Sequence, residues 1–415
     1  DMQNRKAGMQ FILITVLLDM IGIGLIIPVL PKLVTTMSGG TISDGSYMFG
    51  WFVASYALMQ FIFSPILGNL SDRFGRRPII LASLFGAGLD YLLLAFAPNL
   101  KWLFVGRVIA GITGANISAA NAYIADVSAP EDRAKNFGMI GACFGVGFII
   151  GPALGGLLGN YGLRLPFIVA ACLNLLNWLY GFFVLPESHA EENRRPFNWR
   201  KANPLASLSQ LGKYPVVLGL TATIALERLA HDTLPATWVL YTTYRFKWTA
   251  FDNGLSLALV GIVYAVVQGG LTGRIVPKLG ERKAIIYGLM IGSLTFVAYG
   301  LSTRGWMLYV AIIFGSIGGI AGPAIQSVIT KMVSATEQGA VQGIIASIQS
   351  VVAILGPLMA TNLFGYFTSE AAPVKLPGAA FLAASLLVAI AALMAVRSAR
   401  PSPAVEVRAS AGATD

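Results

Sequence analysis

The chain has 415 residues, 56% of them hydrophobic and only 12% charged, with a mean hydropathy of +0.71. An ordinary soluble domain carries about twice that share of charge, so composition excludes a soluble enzyme or binding module and implies a polytopic membrane protein. The net charge of +10 does not indicate a nucleic-acid partner, because the basic residues are interleaved with apolar stretches.

Apolar stretches of about 20 residues, enough to cross a hydrocarbon core as helix, recur at 8–33, 47–70, 79–97, 102–126, 134–159, 165–185, 214–241, 253–276, 283–301, 305–328, 338–363 and 378–396. The first follows Arg5 and Lys6, but it is too long for a secretory signal and lacks a small-residue cleavage site, so it reads as span 1. The two cysteines, Cys143 and Cys172, fall inside spans, which indicates neither a disulfide framework nor a metal centre. Of the 29 Lys and Arg residues, Lys32, Lys101, Arg164, Arg245, Lys247, Arg304 and Lys375 fall on one side and Arg107 and Arg228 within spans. All the others share the opposite side with both termini, and the positive-inside rule makes that side cytoplasmic.

In chain order, span 1 carries LLDMIGIGLIIPVLP, with Asp19 in the middle of an apolar run. Span 2 contributes Gln60 and ends in GNLSDRFGRR, where Gly68 and Gly75 permit a tight turn and Asp72, Arg73, Arg76 and Arg77 form a charge cluster. Span 3 places Asp90 in LFGAGLDYLLLAF. Asp19 and Asp90 both lie about 12 residues, or about 18 Å, from the cytoplasmic end of their spans, so they share a depth. A carboxyl there is costly while charged, and reversible protonation is the function it suits. Structural hydrogen bonding between helices is the other reading.

Span 4 (GRVIAGITGAN) carries Arg107, which cannot lose its proton and must face a partner or water, and Asn116. Near the two acids it would hold a carboxylate ionised until a proton or a cationic substrate displaces it. Span 5 has GVGFIIGPALGG, where Gly151 and its neighbouring glycines allow close helix approach and Pro152 bends the backbone. The connector 187–213 is polar, basic and broken by prolines, and divides residues 1–186 from residues 214–397; the small, polar tail 398–415 is expected to be disordered.

The halves repeat. Gly68, Gly75 and Arg77 align with Gly273, Gly280 and Arg282 at the same displacement that carries Gly138 to Gly343 and Gly151-Pro152 to Gly356-Pro357. A constant displacement over three segments indicates duplication of a six-helix unit, which places a substrate cavity near the midplane between the halves. In the second copy Glu281 replaces an arginine, and its charge cluster is expected to be weaker. Span 7 is unusually polar: Glu227 and His231 are four apart, as are Arg228 and Asp232, so each pair can meet along one face. Histidine is the side chain whose charge changes within the physiological range, which suits a proton relay, although a satisfied structural network fits as well. Gln268, Gln326 and Gln349, with Trp238 and Tyr241 as stacking surfaces, complete the candidate substrate contacts.

GNLSDRFGRRP resembles the signature of the major facilitator superfamily, and GVGFIIGPALGG resembles the motif of its antiporter branch. LLDMIGIGLIIPVLP, YALMQFIFSPILG, GAGLDYLLLAF, GRVIAGITGA and PATWVLYTTYRF are similar to the tetracycline exporters of the drug/proton antiporter family. The resemblance implies an all-α membrane protein of twelve helices in two six-helix halves, proton-coupled drug efflux and hence antibiotic resistance, in a bacterial inner membrane and acting as a monomer. It implies that Asp19 and Asp90 are required for transport, that Asp72 and its arginines latch the cytoplasmic side, and that Arg107 takes part in proton coupling. No cofactor is expected beyond the coupling proton, and any divalent cation would travel with the substrate. Those exporters carry a histidine in span 8 and an acid in span 9, and both are missing here, so span 7 with Glu227, His231 and Asp232 is expected to take that role, or the first half alone to couple.

Proton-coupled export of a small amphipathic or cationic compound is thus the leading expectation. Uptake of a sugar or other nutrient is the alternative that the Asn, Gln and Trp residues allow, and a non-transporting membrane receptor is a third. No nucleophile and base constellation or phosphate-binding motif supports an enzyme.

Overall fold

The computed structural model describes residues 2–114, 117–128, 133–189, 191–194, 196–197, 203, 215–332 and 338–398. Asn116, most of the connector and the tail beyond Ser398 lie outside them. The described residues form helices and turns with no strand, as a bilayer demands of a chain whose backbone groups must be satisfied within each segment.

Span 1 is α1 (Met2–Ile26) and α2 (Leu30–Ser38), separated at Pro28, which lacks a donor; Pro31 sits in the first turn of α2, where a missing N–H is tolerated. Then follow α3 (Ile42–Phe74), α4 (Arg76–Phe96), α5 (Leu100–Gly114) with α6 (Ile117–Val127), α7 (Arg133–Tyr161) and α8 (Leu165–Val184). The second half has α9 (Pro215–His231) and α10 (Thr233–Phe246), α11 (Ala250–Val266) with a π turn leading into α12 (Thr272–Leu279), α13 (Glu281–Leu301), α14 (Gly305–Gly315) with a 3-10 turn leading into α15 (Ala321–Met332), α16 (Gln338–Thr368) and α17 (Ala379–Ser398). Eleven of these segments are long and apolar enough to cross a membrane. The remaining expected span, the seventh, is the polar one, and it is interrupted at Asp232 into helices of 17 and 14 residues.

Local geometry carries the repeat further than the sequence alignment did. Gly75 and Gly280 both adopt positive φ, 102° and 78°, at the turn between the second and third helices of each half. Thr41 with Asp44 and Thr249 with Asp252 form capping boxes at the start of span 2 and span 8. Gly151 packs against Gly24 just before the break in span 1, where an added Cβ would lie 2.7 Å from the Gly24 Cα; its counterpart Gly356 packs against Asp232 at the break in span 7.

The halves meet at the end opposite the basic cluster. Ser43 Oγ donates to the Gly365 carbonyl at 2.7 Å, Ser46 Oγ to the Thr361 carbonyl at 3.3 Å, and the Phe251 N–H to Asn160 Oδ1 at 3.4 Å. α7 and α11 touch backbone to backbone there, Gly156 against Ala250 and Gly254. Toward the basic end the same pair of spans parts: a Cβ added at Gly141, Gly145, Gly269, Gly270 or Gly273 would meet nothing within 4 Å. The molecule is therefore closed at the far face and spread at the basic face along spans 5 and 8.

Candidate functional site

A cavity of about 230 Å³ lies within the first half, with Pro235 of the second half on its wall. α1 contributes Asp19, α3 Tyr56, α4 Asp90 and Tyr91, α5 Arg107 and Thr113, α8 Asn174, and α10 closes it with Pro235; the rest of the wall is largely aliphatic. The break in span 1 places Ile27 and Leu30 on that wall. The acids expected to share a depth do share a chamber, and Arg107 faces it with them.

Asp90 and Arg107 are 2% and 8% exposed. The Arg107 guanidinium lies over the Tyr56 ring, 4.5 Å from its centre, a cation–π contact in a desolvated place. Gln60 Nε2 holds that tyrosine by donating to its hydroxyl at 3.0 Å and reaches the Gly114 carbonyl at 3.4 Å. Asp90 Oδ1 and Arg107 Nε have no hydrogen-bond partner among the described residues. Two carboxyl groups share this wall with one guanidinium, which is always protonated. A charge in so buried a place is expensive unless compensated, which suits these acids to reversible binding of a proton or a cation.

Asn174 Oδ1, buried and without a partner among the described residues, is a further acceptor on this wall. Tyr56, Tyr91 and Asn174 were not picked out from the sequence. The i,i+4 spacing of Tyr56 and Gln60 was the available signal for the first; the other two are polar residues on apolar helices whose direction only packing reveals.

The basic cluster finds its partners in the first half and in Glu187 at the start of the connector. Arg76 reaches Asp72, Asp126 at 3.1 Å and Ser71 Oγ at 2.8 Å. The Glu187 carboxylate caps α4, accepting the N–H of Arg76 at 2.9 Å and of Arg77 at 3.2 Å, so a carboxylate sits at a helix N-terminus. Arg77 donates to the Phe182 carbonyl at 2.8 Å, Arg73 lies over the Phe74 ring, and Ser71 Oγ donates to the Gly68 carbonyl. No hydrogen bond or ion pair from this cluster to the second half is seen among the described residues. In the second half the replacement of an arginine by Glu281 leaves, among the described residues, a single, more exposed ion pair. Glu281 meets Lys331 at 2.7 Å and also accepts from Ser327. Lys331 stands at the position repeated from Asp126, so the strut of the first half is kept with its charges exchanged. Asp126 and Lys331 could have been found by carrying the repeat displacement across charged residues of opposite sign.

On span 7, His231 Nδ1 lies 3.2 Å from Glu227 Oε1 and 3.1 Å from the Glu227 carbonyl oxygen, while Arg228 Nε meets Asp232 Oδ1 at 3.0 Å. Asp232 Oδ2 is buried and without a partner among the described residues. His231 and Trp238 line a second cavity of about 380 Å³ whose wall lies mostly in the second half. Tyr241, expected as a stacking surface, is instead fully buried among aromatic rings and donates to the Tyr299 carbonyl at 2.6 Å. Gln268 is engaged by the Gly319 carbonyl at 3.0 Å and bridges spans 8 and 10. Gln326 is exposed on α15, Gln349 half-buried on α16, and neither is brought to the two cavities. Among the described residues no group of three or more His, Cys, Asp or Glu side chains could hold a metal ion.

Two repeated six-helix halves, with a charged cavity walled by the first and an aromatic one walled mostly by the second, have the architecture of a secondary transporter. The family model of the Major Facilitator Superfamily matches residues 12–357 and 245–414, and the chain belongs to that superfamily. It is 44% identical to the class C tetracycline resistance protein of Escherichia coli over 85% of this chain and 88% of that one. It is 38% identical to the class B tetracycline resistance protein of Escherichia coli over 87% and 89%. Among solved structures it is similar in fold to a bacterial homologue of the human lysosomal transporter Spinster in an inward-facing, unoccupied conformation, with TM-score 0.78 and 18% identity over 96% of this chain and 99% of that one.

Proposed function

We propose that the protein exports a small amphipathic or cationic compound of the tetracycline kind across a bacterial inner membrane in exchange for protons, by alternating access. The observation that carries this is the gathering of two carboxyl groups, Asp19 and Asp90, and one permanent cation, Arg107, on the wall of a single cavity in an otherwise apolar interior. A proton and a cationic substrate compete for the same carboxyl groups, and that competition is antiport. The tetracycline resistance relatives and the largely aliphatic cavity wall support this reading over uptake of a sugar or a receptor role.

In this scheme the basic face is cytoplasmic and both termini lie there. The spread along spans 5 and 8 admits substrate from that side. Asp72, Arg73, Arg76 and Arg77, with Gly68 and Gly75 shaping their turn, form the gate that closes it, and Gly151 and Pro152 form the pivot against span 1. The chain acts as a monomer with no resident cofactor, and a divalent cation crosses only as part of a chelated cargo.

The test is flux in proteoliposomes under an imposed pH gradient. Uphill accumulation of tetracycline should follow the gradient in the native protein and lose that dependence in Asp19→Asn and Asp90→Asn. Flux indifferent to the gradient in the native protein would overturn the proposal.

A further inference from the structure

We infer that the groove between α13 and α14 on the outer surface of the second half binds an anionic phospholipid from the leaflet at the far face, with an acyl chain along the groove and the phosphate held at its end by Arg245 and Arg304. The inference is independent of the transport reading.

The groove is apolar and one leaflet long. Its volume is about 620 Å³, with Leu294, Ala298 and Leu301 of α13 and Trp306, Val310 and Phe314 of α14 on its walls. Leu294, Leu301, Trp306 and Phe314 are each more than half exposed, so in a bilayer this surface meets hydrocarbon. Its two hydroxyls are already used: Thr295 Oγ1 donates to the Ile291 carbonyl at 2.7 Å and Ser302 Oγ to the Ala298 carbonyl at 2.5 Å. The walls therefore supply van der Waals contact to a flexible chain and little else. From Ile291 to Leu301, both on the wall, the helix rises about 15 Å, half of a hydrocarbon core of about 30 Å. Trp306 stands at the far-face end, the level at which tryptophans gather in bilayers.

Positive charge stands just beyond that end, where a headgroup belongs. Basic residues are few on the far face, as the positive-inside rule requires, yet two arginines share this one corner. Arg245, exposed in the last turn of α10, donates from Nε to the carbonyl of Ser302, a residue of the groove wall, at 3.3 Å. Arg304, also exposed, lies in the chain between Ser302 and Trp306, both on that wall. Packing fixes the corner: Trp248 rests on Tyr309 at 5.5 Å between ring centres, and a Cβ added at Gly305 would lie 2.8 Å from Trp248 Nε1. Asp252, the acid at the start of α11, is taken up by its capping box, accepting from the Thr249 N–H and Oγ1 at 2.8 Å each. Guanidinium groups bind phosphate oxygens through forked pairs of hydrogen bonds. A zwitterionic headgroup brings its own cation to the same place, so two arginines favour a lipid of net negative charge. Thr295 lines both this groove and the chamber of His231 and Trp238, and a Cβ added at Gly315 would lie 2.3 Å from its Cγ2. A chain in the groove therefore bears on the wall of that chamber.

The experiment is native mass spectrometry of the purified full chain in detergent, titrated with phosphatidylglycerol and, separately, with phosphatidylcholine of the same acyl chains. The first phosphatidylglycerol should bind the native chain about tenfold more tightly than the first phosphatidylcholine. Arg245→Gln with Arg304→Gln should remove that preference. Arg304→Gln alone, which breaks no hydrogen bond seen among the described residues, should remove part of it, and Lys101→Gln, at an exposed far-face cation of the first half, should leave it intact. Ala298→Phe, at an exposed position midway along the groove, should weaken both lipids. Equal binding of the two lipids by the native chain, a preference that survives the double arginine variant, or one that falls equally in Lys101→Gln overturns the inference. So does a dimer that Ala298→Phe dissolves, since a second copy of the chain would then occupy the groove.

Discussion

The close contact of α7 with α11 at the far face makes a sharp prediction about conformational balance. In Gly156→Val the added Cβ would lie 2.5 Å from the Ala250 carbonyl oxygen and 3.0 Å from the Gly254 Cα. Carbon atoms settle at about 3.5–4.0 Å, so the two backbones must part by roughly 1 Å before the remaining valine methyls are placed. Overpacking of this kind costs about 1–3 kcal/mol. At about 1.4 kcal/mol per tenfold, a cost of about 2 kcal/mol displaces the equilibrium roughly thirtyfold away from far-face closure. A preference of about 20 to 1 for the closed far face would become close to even. Spin labels at Tyr161 and Val374, both exposed near the far face, report this by pulsed electron resonance in a chain whose Cys143 and Cys172 are serine. The distance distribution should shift to longer values in Gly156→Val and stay native in Gly145→Val, on the same helix but facing open space. A native distribution in Gly156→Val, or an equal shift in Gly145→Val, would refute the assignment of this crossing as the far gate.

Three further outcomes follow from the same geometry. Arg107→Gln leaves two acids on the cavity wall with no permanent cation and should abolish gradient-driven flux, whereas adding Asp90→Asn removes one of the two acids along with that cation and should recover substrate counterflow; counterflow absent from the double variant and present in the single one contradicts the pairing of Arg107 with these acids. Gly75→Ala should lower stability by about 1–3 kcal/mol, because φ of 102° strains any side chain and the Cβ would strike the Glu187 carboxylate, while Gly280→Ala, with nothing within 4 Å, bears only the backbone cost; thermal unfolding of the two variants ranks them. Reversing the second-half strut by Glu281→Lys or Lys331→Glu singly should destabilise slightly and the double reversal should restore the native value. The coupling should be only about 0.5 kcal/mol, because the Lys331 side chain is 68% exposed; the equivalent cycle on Arg76 and Asp126 should give more, since Arg76 is 8% exposed.

The amino-acid sequence by itself determined the solvent, the number of crossings, the duplication and the depth of the two acids. Each of these follows from composition, from rise per residue or from a constant displacement between matching residues, which are read along the chain and need no spatial neighbour. It also brought out Asp19, Asp90 and Arg107, because a charge in an apolar run is visible without knowing what it faces. Tertiary structure decided which polar residues meet. Tyr241 and Trp238 lie three residues apart on one helix, yet one is sealed in the aromatic core and the other lines a cavity, since their side chains leave the helix in different directions. Glu281 looked like a lost arginine until Lys331, fifty residues on, was seen beside it, because an ion pair between two helices is invisible to local spacing. The division of the interior into a charged chamber and an aromatic one likewise depends on where spans 1 and 7 break and what packs against those breaks, and that is settled only when the halves close on each other.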